Sequence, residues 1–134
     1  MKFSEIEPSR WPELQPFVDT CLLPVTGLSG VENPWQAAAA LEKLRDVMDA
    51  IEVPFRGRII AYPAVQYGSE ESAAALGPLV ANLKKAGFRY VVAASAALRL
   101  DGLAEADLTI GPGEDGSLPD AERIRSEIRR LWNA

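Results

Sequence analysis

Four short apolar runs, each separated from the next by a helix-patterned or turn segment, constrain this chain more than any other feature. The runs are "FVDTCLLPV" (17–25), "GRIIAYPAV" (57–65), "FRYVVAAS" (88–95) and "DLTIG" (107–111). Runs of this length and apolarity fit strands buried on both faces. Between the first two, Asn33-Pro34 reads as the N-cap and first position of a helix. Leu41, Leu44, Val47, Met48 and Ile51 then recur at spacings of three and four, so the helix should run to about Glu52, with Pro54 just beyond it. Between the second and third runs, Ser69 is the expected N-cap, followed by Glu70 and Glu71 at the favourable end of the dipole. Leu76, Leu79, Val80 and Leu83 should face inward, Gly77-Pro78 should kink or interrupt the helix, and Lys84, Lys85 and Gly87 suit its end. Residues 96 to 106 have room only for a short helix or turn. A last helix is expected from about Pro119 to Trp132, with Ile124, Ile128, Leu131 and Trp132 inward.

Strands that alternate with helices should be parallel and joined by right-handed crossovers. The expected fold is therefore α/β: a small three-layer sandwich of about four mainly parallel strands flanked by helices. The 134 residues suit one domain, spanning 1–134. The flavodoxin-like order 2-1-3-4 and the Rossmann-like order 3-2-1-4 both fit. Ahead of the first strand, Pro12 suits the first turn of a short helix, "WPEL", and Pro16 should end it. Phe3, Ile6, Trp11, Leu14 and Phe17 are apolar enough to dock this segment on the core.

The chain holds no histidine. That removes Ser-His-Asp and Cys-His catalysis, and with it the usual zinc, copper and non-haem iron ligand sets, which a single cysteine does not replace. Carboxylate, hydroxyl, lysine and backbone chemistry remain. No metal and no cofactor is expected. Cys21 stands alone, so no intramolecular disulfide forms; it reads as a small core residue, and a reducing cytoplasm fits. The net charge of −5 argues against nucleic acid as a partner. Arg123, Arg125, Arg129 and Arg130 are interleaved with Glu122 and Glu127, as on a solvated helix face. No stretch approaches a membrane span, and "MKFSEIEPSR" has no apolar region of the signal-peptide kind.

"GPGEDG" (111–116) fits G-x-G-x-x-G letter for letter. A dinucleotide fingerprint follows the first strand of a βαβ unit and opens directly into a helix. This one follows the last strand, Pro112 has no N–H to offer, and Glu114 and Asp115 would repel phosphate. A turn between strand and helix is the expected reading. "VTGLSG" (25–30) is better placed, after the first strand, and offers backbone groups with Thr26, Gly27 and Ser29 to a small anion. Its glycine spacing is short, the acid-rich "VEN" follows and no Tyr-x-x-x-Lys occurs in the chain, so a plain loop is the expected reading and anion binding the alternative. In open α/β sheets ligands bind beyond the carboxyl ends of the strands. Tyr62, Pro63, Gln66 and Tyr67 end the second strand and Ser95 ends the third. Thr26, Gly27, Ser29, Pro63, Gln66, Tyr67 and Ser95 are therefore the candidate ligand-binding residues. No catalytic residue is assigned; Asp19 is a polar group near the start of the first strand that would serve as an acid or base only if burial shifted it. Trp11, Trp35 and Trp132 sit near helix ends, where core anchoring is the default and exposure would point to a protein interface.

"FVDTCLLPV", "FRGRIIAYPAVQY" and "GFRYVV" together make residues 9 to 95 resemble the YpiF-like family of uncharacterised bacterial proteins. The resemblance implies a bacterial, cytoplasmic protein and supplies no activity, cofactor or catalytic residue. The functional expectation is a non-enzymatic domain that binds a protein partner or a small ligand; an oligomeric structural subunit, such as a homodimer with the N-terminal Trp/Pro segment or the last helix at its interface, is a further reading. The alternative is a small hydrolase- or transferase-like enzyme using Asp19 with Thr26 and Ser95 at the carboxyl ends of the strands.

Overall fold

A computed structural model describes residues 1–67 and 70–134, apart from the side chains of Tyr67, Glu70 and Glu71. The helix start expected at Gly68-Ser69 lies outside the described residues. A short helix α1 (Trp11–Leu14) precedes strand β1 (Thr20–Leu28). Helix α2 (Pro34–Glu52), strands β2 (Ile59–Ala61) and β3 (Val65–Tyr67), helix α3 (Gly77–Lys85), strand β4 (Tyr90–Ala94), strand β5 (Leu108–Ile110) and helix α4 (Ala121–Asn133) follow. The caps explain the helix starts. Asn33 and Gln36 form a reciprocal capping box at α2, and Asp120 accepts the Arg123 N–H at α4. At Gly77-Pro78 a 3-10 turn (Glu70–Leu76) gives way to α-helix, as the proline requires.

The strands form one sheet in which every ladder is parallel, in the order β2-β1-β4-β5, with β3 also pairing β1. The expected second strand is thus two short ones on the same side of β1. Two prolines account for the break. Thr20 N–H donates to Arg58 O and Tyr62 N–H donates to Leu22 O, so Thr20 and Leu22 bond toward β2. Alternation along the strand aims Pro24 the same way, where it has no N–H to give. Pro63 interrupts the partner chain between β2 and β3. With β2 and β3 counted as one interrupted strand, the order is 2-1-3-4, the first of the two that fitted the sequence.

Both faces of the sheet are covered. On one face Val18, Cys21, Leu23, Ile60, Val91 and Ala93 pack with Val80 and Leu83 of α3, with Leu100 and Leu103 of the β4–β5 connection, and with the N-terminal Phe3, Ile6, Trp11 and Leu14. On the other, Leu22, Ile59, Val92 and Ile110 pack with Val47 and Ile51 of α2 and with Ile124 and Ile128 of α4. The sheet margins are guarded. Met1 O accepts the Ala61 N–H (2.8 Å), Lys2 bridges to Ala61 in parallel fashion, and Lys2 Nζ lies 2.6 Å from Glu52 Oε2. At the other margin β5 is three residues long.

Three expectations shift. The first strand begins at Thr20, because residues 15–17 turn after α1, with Phe17 N–H donating to Leu14 O. It then continues through Thr26 and Gly27, which the sequence placed in a loop. Phe17 is 71% exposed rather than docked. Leu41 is also exposed. The buried residues of α2 begin at Leu44, so its first turns contribute no buried side chain to the core.

Candidate functional site

In this strand order the connection reverses direction between β1 and β4, and the crevice beyond their carboxyl ends is the usual ligand position. Here the chain fills it. Val25 pairs Val65 and Leu28 pairs Tyr67, so β1 carries one extra residue, a bulge. Gly27 at φ +76° forms its bend, and a Cβ there would lie 3.0 Å from both Ala97 Cβ and Leu98 Cγ. The buried Thr26 hydroxyl donates to Gln66 O and accepts the Leu28 N–H. Ser95 is fully buried, and its Oγ accepts the N–H groups of Ala97 (3.2 Å) and Leu98 (3.0 Å). Both hydroxyls are committed to backbone.

The "VTGLSG" turn does present converging donors, and Glu32 takes them. Its carboxylate accepts the Ser29 N–H (2.9 Å), the Ser29 hydroxyl (3.0 Å) and the Gly30 N–H (2.9 Å). These bonds hold the Glu32 carboxyl down at about 2, with the Ser29 N–H the largest cause. An external anion would have to displace this internal one. Pro63 and Gln66 are exposed along the interrupted strand, and the Gln66 side chain donates to Ala64 O. Tyr67 lies in β3, and its side chain is outside the described residues. The seven rim candidates therefore fall in three places: Thr26, Gly27 and Ser95 inside the β1–β4 packing, Ser29 under Glu32, and Pro63, Gln66 and Tyr67 along the interrupted strand.

Open space at the carboxyl end of the sheet lies beyond β5. A cleft of about 450 Å³ is bounded by residues 99–101, the end of β5, the "GPGEDG" turn and the first turns of α4. Thr109, Ile110 and Gly111 line it from the strand side. Gly111 is required there, because a Cβ would come within 2.8 Å of Leu98 O. "GPGEDG" is the expected turn: Gly113 N–H donates to Ser117 O, Gly116 N–H to Gly113 O, and α4 begins only at Ala121. The Asp115 carboxylate accepts both the Ser117 hydroxyl (2.7 Å) and the Ser117 N–H (3.0 Å), which lower its pKa. Arg99 and Arg123 line the same cleft, and each has a carboxylate partner: Asp101 at 2.8 Å and Glu127 at 3.4 Å. With Glu114 and Asp115 the lining carries two cations and four carboxylates. It can hydrogen-bond a small polar ligand on several sides, and it repels polyanions. Sequence reasoning missed Arg99 and Arg123, because nothing in their spacing says that a turn 12 residues on and a helix 24 residues on face each other. The available signal was the place of "GPGEDG" after a strand end.

Asp19 lies at the other end of the sheet. It immediately precedes β1 and lies seven residues before Thr26, about 23 Å away along the extended chain. Burial pushes its carboxyl up, but the Arg58 side chain, the Thr20 hydroxyl and the Arg58 charge outweigh this and leave it lowered. Arg58 Nε and Nη2 bind Asp19 Oδ1 and Oδ2 at 2.9 and 3.1 Å, and Thr20 Oγ1 donates to Oδ1 at 2.9 Å. Asp19, Thr26 and Ser95 are not brought together. Cys21 is fully buried, and its thiol is pushed up to about 12 by that burial. Among the described residues no group of histidine, cysteine and carboxylate side chains is arranged to hold a metal ion, and no helix is long and apolar enough to cross a membrane.

Residues 9–99 match the model of a family described as a protein of unknown function (DUF2487), and the chain belongs to that family. The matched segment holds β1 to β4 and ends at Arg99, so β5, the "GPGEDG" turn and α4 lie beyond it. No curated protein and no solved structure matches the chain.

Proposed function

We propose that this member of the DUF2487 family is a binding domain that holds a small, polar, non-polyanionic ligand in the cleft beyond β5. The observation that carries the reading is the cleft itself: about 450 Å³, at the carboxyl end of a parallel sheet, with Arg99 and Arg123 on its walls. The acid-rich lining favours hydroxyl- or amine-bearing compounds over nucleotides. A hydrolase- or transferase-like role has less support, since Thr26 and Ser95 are bonded to backbone and Asp19 is distant from both. The residues of the YpiF-like resemblance, 9 to 95, overlap the family match over 9–99, which supports treating the two as one family and the protein as a bacterial, cytoplasmic, single-domain one.

The test is a thermal-shift screen of sugars, polyamines, amino acids and nucleotides. A ligand that binds only the folded state raises the midpoint with concentration. The reading expects a sugar or amino acid to do so, and the Arg99→Ala/Arg123→Ala variant to lose the response. A response retained by that variant, or one given by nucleotides alone, would move the site elsewhere. A second reading, a homodimer, rests on Trp35, which is 73% exposed in the first turn of α2. Sedimentation of the wild type and of Trp35→Ser tests it.

A further inference from the structure

The amino end of the sheet carries a second surface, distinct from the cleft. The Phe55 and Trp132 rings meet edge to face, with centroids 4.8 Å apart at 83°. Arg58 stacks on Trp132 at 3.8 Å, and Arg129 lies over Phe55 at 5.7 Å. Arg56 is exposed next to Phe55 in the chain, and Arg125 is one turn before Arg129 on the same side of α4. Among the described residues Asp19 is the only carboxylate within 4 Å of any of these four arginines, and it is held by Arg58. On a chain of net charge −5, three arginines without a carboxylate partner around an aromatic pair form an isolated positive surface.

We propose that this surface docks an acidic segment of a partner protein. Charge complementarity selects the partner. Stacked guanidinium groups are already ordered, so they lose less freedom when a carboxylate arrives. Arginine and tryptophan are the residue types that dominate protein interfaces.

The probe is a fluorescein-labelled octaglutamate peptide, followed by anisotropy with the full chain at low salt. The expected result is saturable binding that weakens as salt rises. Arg56→Glu/Arg129→Glu should weaken it about tenfold or more, whereas Arg45→Glu on the outer face of α2 should leave it unchanged; circular dichroism checks that both variants are folded. Absence of binding to folded wild-type protein, or equal weakening by the two variants, would overturn the proposal. So would equal displacement of the peptide by a single-stranded oligonucleotide and by unlabelled octaglutamate, since the surface would then be a general polyanion site.

Discussion

Arg58 joins its guanidinium to the face of Trp132, 3.8 Å from the ring centre, while gripping the Asp19 carboxylate with two nitrogens. Trp132 Nε1 donates in turn to Thr20 Oγ1 at 2.9 Å, and Thr20 Oγ1 donates to Asp19. The closed circuit Asp19–Arg58–Trp132–Thr20 fastens the last turn of α4 to the start of β1, 112 residues away in the chain.

Breaking that circuit at the ring should loosen α4. Trp132→Ala removes the stack on Phe55, the seat of Arg58 and the hydrogen bond to Thr20, and is expected to cost about 3 kcal/mol. Trp132→Phe keeps most of the packing and loses the indole donor, for about 1 kcal/mol. Urea denaturation of the two variants separates packing from hydrogen bonding.

Asp19 titrates below its ordinary 3.8, so its contribution is present above that value and is lost as pH falls toward the lower, folded value. Asp19→Asn should cost about 1 kcal/mol at neutral pH, a modest figure because the pair is partly exposed and screened. The difference from wild type should shrink as pH drops below about 4, in a series of denaturation curves against pH.

Two glycines with similar backbone should respond differently to a methyl group. Gly27 and Gly30 both have positive φ, +76° and +98°. Gly27 also faces Ala97 and Leu98 at 3.0 Å, whereas nothing lies within 4 Å of a Cβ at Gly30. Gly27→Ala should cost about 2–4 kcal/mol, and Gly30→Ala about 1 kcal/mol. Thermal unfolding of the pair measures the crowding directly.

Cys21 should be silent in the folded protein. Its thiol is fully buried and pushed up to about 12, so almost no thiolate exists at neutral pH. A thiol reagent should react fully in denaturant and, without it, only as fast as the chain opens globally. Rapid labelling under native conditions would show a local opening at β1.

Asn33-Pro34, Gly77-Pro78 and Gly87 made the helix limits legible in the sequence, because caps and prolines act within a few residues. Apolar periodicity likewise marked Leu44, Val47, Ile51, Ile124 and Ile128 as core. Leu41 had the same periodicity, yet it is exposed ahead of the buried stripe that begins at Leu44, and periodicity alone does not say where along a helix its neighbours start. The split of the second strand was written in Pro24 and Pro63, but it shows only once the two are known to face each other across a ladder. The rim candidates were placed by a general rule about strand ends. The rule could not say that Leu98 fills the crevice or that Glu32 occupies the donors of Ser29 and Gly30. The space lies instead beyond β5, between residues that meet only after the chain has folded.

The guarded margins of the sheet bear on how this protein behaves when crowded. A long unpaired strand edge is a template on which another chain can add, and sheets that stay dispersed shorten or cover such edges. Met1 and Lys2 cover Ala61 at one side, and β5 at the other stops after three residues at Gly111-Pro112. Neither β2 nor β5 offers a long free edge on which another chain could add, which disfavours fibril growth through those two strands.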